Sequence, residues 1–287
     1  MAQSLLQPGL YQVIYEPIVE AALREDFGPA GDLTSDAIVP AEAQALGVLR
    51  CRHEGRVAGL EPALLAFRKL DPSAEIKIWR RDGEDVTAGE VLAEVRGGAR
   101  ELLSAERTAL NLLGHLCGIA TTTRGIVRAI AGTSARVVCT RKTTPLLRAL
   151  EKYAVRMGGG SNHRFGLHDA ILIKDNHRAI AGSAAEAVAR AKRAVGHLVK
   201  IEIEVDGLEE LDAILRLGVD AVLLDNMSPE DLRHAVEIVD GRAITEASGG
   251  ITPDTALSMA QSGVDLLSVG WLTHSAPVLD IGFDFDF

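Results

Sequence analysis

The chain has 287 residues, 47% of them apolar, enough for a substantial buried core in two ordinary domains or one large barrel with an appendage, and too many for a disordered chain. Thirty Lys and Arg against forty Asp and Glu leave a net charge of -10, which argues against nucleic acid or an anionic membrane as the general partner. Between Thr140 and Arg178, however, eight Lys/Arg meet three acids, a local net of +5 that also holds His163, His168 and His177, so a small polyanionic ligand is expected.

No charged side chain occurs from Met1 to Tyr15, but Gln3, Gln7, Pro8, Gly9 and Gln12 interrupt the stretch and it lacks the basic-then-apolar order of a signal peptide. No segment approaches twenty continuous apolar residues, so a soluble, cytoplasmic protein is expected. The first predicted helix surrounds Pro17 to Glu25 and breaks at Gly28, Pro29 and Gly31. From Gln44 to Glu94 the pattern is β-rich, with strands at Ala45 to Cys51, Ile76 to Arg80 and Val91 to Val95, and turns at Glu54-Gly55, Asp82-Gly83 and Ala88-Gly89. The run from Asp82 to Val95 is similar to the hairpin of biotinyl and lipoyl carrier domains. With no lysine at its tip, it reads as a plain structural hairpin. Ser104 can cap a long helix to about Ala131, whose stripe of Leu110, Leu113, Cys117, Ala120 and Val127 joins this region to the next. Cys51, Cys117 and Cys139 lack metal or redox spacing and read as reduced, structural thiols.

Beyond Gly132 a βα pattern repeats. Strands are predicted at Ala135 to Cys139, Ala170 to Ile173, Lys200 to Val205, Ala221 to Leu224, Ala243 to Glu246 and Leu266 to Val269, each ending in polar or glycine residues. Taking Lys142, Lys174, Glu204, Asp225, Ser248 and Gly270 as markers, the steps are 32, 30, 21, 23 and 22 residues, which fit a closed parallel barrel better than a doubly wound sheet without its glycine-rich dinucleotide turn. The last residues, Leu279 to Phe287, alternate apolar and acidic like an edge strand returning to the β-rich region.

In a barrel, function sits at the C-terminal strand ends, so Arg141, Lys142, Lys174, Glu204, Asp225 and the Ser248-Gly249-Gly250 loop would share one rim. Ser248-Gly-Gly precedes Thr252-Pro253, a helix start, and Ser268-Val-Gly ends the last strand; together they form a phosphate cradle. Gly158 to Gly160 read as a flexible loop that delivers His163 and the planar donor Arg164, suited to carboxylates. Glu204 and Asp225 are equally readable as Mg²⁺ ligands or as partners of Lys174 and Lys142, and His177 equally as a loop hydrogen-bonder or a site residue.

The motifs Thr140-Arg-Lys-Thr-Thr-Pro, Glu151 through Asp169, Ile173-Lys-Asp-Asn-His, Leu223-Leu-Asp-Asn-Met, Glu246-Ala-Ser-Gly-Gly-Ile and Leu272-Thr-His-Ser, with Gly31-Asp-Leu-Thr-Ser and Ser104-Ala-Glu-Arg-Thr-Ala-Leu-Asn, resemble the quinolinate phosphoribosyltransferase family over nearly the whole chain. The resemblance implies an α/β fold: an incomplete α/β (TIM-like) barrel over 118–275, with an N-terminal open-faced α/β sandwich over 1–117 plus 276–287. It implies a homodimer or assembly of dimers, in which Arg107 of one subunit enters the other's barrel. By the family pattern, Arg141, His163, Arg164, Lys174 and Arg107 would hold the quinolinate carboxylates. Thr140, Lys142, Glu204, Asp225, Ser248, Gly249, Gly250, Val269, Gly270 and Trp271 would line the phosphoribosyl pyrophosphate and Mg²⁺ side. Lys142, Glu204 and Asp225 would be the catalytic residues, the two acids also serving as metal ligands. The chain departs from the pattern at Leu146, where glycine is expected; a left-handed backbone there would strain leucine or displace the loop.

The chemistry so implied is attack of the pyridine nitrogen on C1 of phosphoribosyl pyrophosphate, loss of pyrophosphate, and loss of the 2-carboxylate as CO₂ from the pyridinium. Two rival readings are a Schiff-base aldolase or decarboxylase using Lys142 or Lys174 and a transferase-like paralogue associated with molybdenum transport. The second should lack some dicarboxylate ligands, whereas Arg107, Arg141, His163, Arg164 and Lys174 are all present.

Overall fold

The computed structural model describes residues 9–286; positions 1–8 of the uncharged N-terminal stretch and Phe287 of the predicted last strand lie outside the described residues. The chain forms two compact units. One takes the chain up to Thr122, Thr143–Gly159 and the chain from Ser275 on; the other takes Thr123–Lys142 and Gly160–His274.

The first unit begins with helix α1 (Gln12–Phe27), which starts more than a turn before Pro17 and ends at the predicted break. Helix α2 (Leu33–Ile38) starts at Asp32, whose Oδ1 accepts the N–H groups of Thr34 and Ser35 at 3.1 and 3.0 Å. Strands β1 (Gln44–Cys51), β3 (Glu75–Ile78) and β5 (Val91–Gly98) join the C-terminal strand Ile281–Asp286 in an antiparallel sheet. The C-terminal strand takes the edge beside β1, as its alternation predicts. The hairpin reading of Asp82 to Val95 is wrong. Strand β4 (Asp85–Val86) pairs with β2 (Gly55–Arg56), while β5 pairs with β1 and β3.

Helix α3 (Leu60–Leu70) lies in the region read as β-rich; seven of its eleven residues are buried, and only Glu61, Arg68 and Lys69 interrupt its apolar run with charge. Helix α4 (Ala99–Ala129) begins directly after β5, which places Ser104 inside the helix. Ser104 is therefore no cap; its hydroxyl donates to Asp32 Oδ2 at 2.8 Å.

Helix α5 (Arg148–Met157) also belongs to the first unit, with Glu151 and Lys152 fully buried. Glu151 accepts the N–H of Thr144 at 3.1 Å and meets His115 Nε2 at 2.9 Å, fixing the loop that holds Leu146. Leu146 has φ 69 and is 90% exposed, so the backbone keeps the left-handed conformation and leucine bears the strain without compensating burial. That strain amounts to roughly 1–2 kcal/mol, against about 0.4–1 kcal/mol of extra unfolded-state freedom for glycine. Leu146→Gly should therefore stabilise the protein by about 0.5–1 kcal/mol, read as an upward shift in thermal midpoint; a lower midpoint would show that the loop relaxes differently.

All six predicted barrel strands form: β6 (Arg136–Val138), β7 (Ile171–Ile173), β8 (Ile201–Val205), β9 (Ala221–Asp225), β10 (Ile244–Ser248) and β11 (Leu266–Ser268). They lie parallel in the order β6-β11-β10-β9-β8-β7. The last strand thus neighbours the first, the order of a ring opened between β6 and β7. The closed barrel suggested by the even steps is therefore incomplete. The crossover from β6 to β7 is where Thr143–Gly159 leaves for the first unit, and Val138 makes an isolated parallel bridge to Ser161 instead.

Helices α6 (Asp175–Ala181), α7 (Ala184–Ala194), α8 (Leu208–Leu215), α9 (Pro229–Val239) and α10 (Pro253–Ala260) follow the strands in turn. The side facing them is one apolar cluster containing Val137, Ile173, Ile201, Ile203, Val205, Val222, Leu224, Ala247 and Leu267. Among the described residues no helix is long and apolar enough to cross a membrane. The three cysteines are buried and in no disulfide among the described residues.

Candidate active site

Because strand side chains alternate, the residues between those apolar positions face the interior of the open ring. They include Leu172, Glu202, Leu223, Glu246 and Ser268, and, at the C-terminal strand ends, Thr140, Lys174, Glu204, Asp225 and Ser248. A cavity of about 800 Å³ opens over this face. Its lining contains Thr140, Arg141, Lys142, His163, Arg164 and Lys174, then Glu204, Asp225, Ser248, Gly249, Gly250, Val269, Gly270 and Trp271. Arg107 is not among the lining residues; it lies exposed on α4 in the first unit.

The cationic side is held rigidly. Lys174 pairs with Glu204, whose backbone carbonyl accepts from Arg178 at 3.1 Å. Arg164 donates to the Ala170 carbonyl at 3.0 Å, and its loop is closed by Asp169, which accepts the N–H groups of Phe165 and Gly166 at 2.6 and 2.8 Å. Burial, and then the charge of Arg141, lower the pKa of Arg164. The fold therefore brings two guanidiniums close enough to repel, an arrangement that an intervening anion relieves. His177 Nδ1 accepts the Lys174 N–H at 3.0 Å, which resolves its ambiguity in favour of a helix-start hydrogen bond.

The opposite side is built from backbone. Thr252 caps α10 with its side chain, and Pro253 takes the first helical position, as predicted. Gly249 has φ 92, and a Cβ there would sit 2.1 Å from Asn226 Oδ1, so both conformation and space demand glycine. Asn226, itself at φ 55, donates its backbone N–H to the Ser248 carbonyl at 2.8 Å and its amide to Asp225 at 2.6 Å. Trp271 Nε1 donates to the Ile251 carbonyl at 2.8 Å, tying the turn Gly270–Leu272 to the glycine loop. Lys142 is fixed by its own backbone: its N–H donates to Thr140 Oγ1 at 3.0 Å and its carbonyl accepts from Thr273 at 2.7 Å.

Glu204, Asp206 and Asp225 each present a carboxylate oxygen within 4.8 Å of the others. An all-oxygen set of this kind fits Mg²⁺, with substrate and water supplying further ligands. Asp206 was not singled out in the sequence, though it follows Glu204 at the two-residue spacing of one strand face. Glu202 and Glu246 were also passed over as site residues. Both are buried below the cavity rim, with His163 Nε2 2.9 Å from Glu202 Oε2 and 3.6 Å from Glu246 Oε1. The signal that could have found them is the same spacing, since each stands two residues before a rim residue.

The chain matches the family model described as "Quinolinate phosphoribosyl transferase, C-terminal domain" over residues 119–284, and the corresponding N-terminal domain over 32–117. It is 46% identical over 271 residues to the nicotinate-nucleotide pyrophosphorylase (carboxylating) of Mycobacterium leprae, covering 93% of this chain and 95% of that protein. Among solved structures it is similar to NadC from Streptococcus pyogenes, with a TM-score of 0.93, 39% identity and coverage of 97% of this chain and 98% of that one. The nicotinate-nucleotide pyrophosphorylase from Francisella tularensis gives a TM-score of 0.93 at 36% identity, with coverage of 97% and 98%.

Proposed function

We propose that this chain, which belongs to the quinolinate phosphoribosyltransferase family, converts quinolinate and phosphoribosyl pyrophosphate to nicotinate mononucleotide, CO₂ and pyrophosphate in NAD biosynthesis. The observation that carries the reading is the two-sided cavity: Arg141, His163, Arg164 and Lys174 on one side, and the Ser248–Gly250 and Val269–Trp271 segments with their adjoining helix start on the other. The first set suits a planar dicarboxylate and the second suits phosphates.

In this reading the cations orient quinolinate so that its ring nitrogen attacks C1 of the ribosyl group as the C1–O bond to pyrophosphate breaks. Lys142 faces the leaving oxygens, while Glu204 and Asp225 favour the positive charge developing on the sugar. The pyridinium that results draws electrons from the C2–carboxylate bond. CO₂ leaves, the electron pair stays at C2, and a proton replaces the carboxylate. Mg²⁺ held by Glu204, Asp206 and Asp225 would neutralise pyrophosphate charge when bound. Arg107 would complete the quinolinate side from a second subunit of a homodimer or assembly of dimers, and the protein would act in the cytoplasm.

Purified protein given both substrates and Mg²⁺ should release CO₂ and pyrophosphate in equal amounts; absence of product would sink the assignment. Arg164→Ala removes a charge-assisted contact of about 1.5–3 kcal/mol and should raise the quinolinate KM roughly ten- to hundredfold. An unchanged KM would contradict its role.

A further inference from the structure

Glu202 on β8 and Glu246 on β10 are 8% and 2% exposed, and they point into one small space with His163. Each leaves one buried oxygen, Oε1, without a hydrogen-bond partner. Two ionised carboxylates in one desolvated space repel, and they would also repel a substrate bearing two more. A hydrogen held on one of them removes a charge from that space.

The surroundings decide which acid carries it. Glu202 accepts from His163 at 2.9 Å and acts electrostatically on Arg164, so its nearest partners are basic side chains. Glu246 faces Glu202, the more distant His163 at 3.6 Å, the hydroxyl of Ser268 on β11 and, on β9, the apolar Leu223. Burial, and then the charge of Glu202, push its pKa up to about 7.

We propose that Glu246 is a positioning residue that must be the neutral acid when quinolinate binds, so that entry of the dicarboxylate is coupled to uptake of one proton. The inference rests on the quinolinate reading of the cavity. With Glu246 protonated, one negative charge fewer lies beneath the dicarboxylate, while His163 keeps its 2.9 Å contact to Glu202. Without that proton the dianion enters above an uncompensated negative charge.

The test is the pH dependence of quinolinate affinity, together with calorimetry in two buffers of different ionisation enthalpy. Below pH 7 the wild-type KM should be flat; above it, KM should rise toward tenfold per pH unit, with proton uptake approaching one per quinolinate at pH 8. Glu246→Gln, a neutral isostere, should flatten the KM profile and abolish the uptake. A profile that rises equally in Glu246→Gln overturns the proposal, because the proton then resides elsewhere. Wild-type quinolinate binding at pH 8 without buffer-dependent heat overturns it too, whether or not the variant folds. No quinolinate binding at any pH would instead reject the functional reading beneath it.

Discussion

Lys142→Met is expected to lower kcat about a hundredfold while leaving the thermal midpoint within about 1 °C of wild type. Methionine keeps an aliphatic stem and removes the ammonium, so the change isolates charge. The stem has a defined place, since a Cβ on Gly270 would lie 3.0 Å from Lys142 Cδ. The two backbone hydrogen bonds to Thr140 and Thr273 survive substitution. In the proposed mechanism, what is lost is a cation placed before the reaction at the oxygens that gain charge as pyrophosphate leaves, and single preorganised donors of this kind contribute about 10²–10³ in rate. The lower end applies because Lys142 is solvent-exposed in the free cavity, where water screens it. Steady-state kinetics checks it, and a change confined to KM would place Lys142 on ground-state binding instead.

The second unit was far more legible than the first, for a physical reason. Its strands are buried on both sides and bounded by short helices with polar starts, so apolar runs, strand-end charges and the Thr252-Pro253 cap are all local signals. The +5 segment was legible only in part. Arg141, Lys142, Arg164 and Lys174 reach the cavity. Arg148, Lys152 and Arg156 fold instead on α5 with the first unit, and Arg178 pairs with Glu210. Charge counting could not separate these groups because nothing local marks where the crossover leaves the barrel. In the first unit, α3 is a short, mostly apolar run among strands, and β4 pairs with a two-residue strand far back in the chain, so local pattern and turn spacing misdirect. Glu246 was visible as a polar strand tail, but its significance depends on Glu202 and His163 arriving from other elements.

Gly118→Val should destabilise the protein by about 3 kcal/mol or more, although helix propensity alone predicts the opposite sign for filling this position with alanine. Glycine inside a helix costs about 1 kcal/mol relative to alanine, so Gly118 in the middle of α4 looks like a defect in the sequence. Packing reverses the judgement. A Cβ at Gly118 would sit 2.0 Å from the Pro277 carbonyl oxygen and 3.0 Å from its carbonyl carbon, and backbone atoms cannot swing aside as a side-chain tip can. One turn earlier, Gly114 accepts the Leu279 N–H at 3.0 Å, and a Cβ there would lie 2.9 Å from the Leu279 carbonyl oxygen, so the two glycines form a track on which the returning chain lies. Adding a side chain must lift that segment, which leads into the edge strand paired with β1 from Leu46 to Cys51. Overpacking typically costs about 1–3 kcal/mol where side chains can adjust, so a clash with backbone lies at or above the upper end. Alanine should already lose about 1–2 kcal/mol net, after its gain of about 1 kcal/mol in helix propensity. Chemical denaturation of both variants tests the argument: if Gly118→Ala is as stable as wild type or more so, propensity outweighs the close approach and the track is not a constraint.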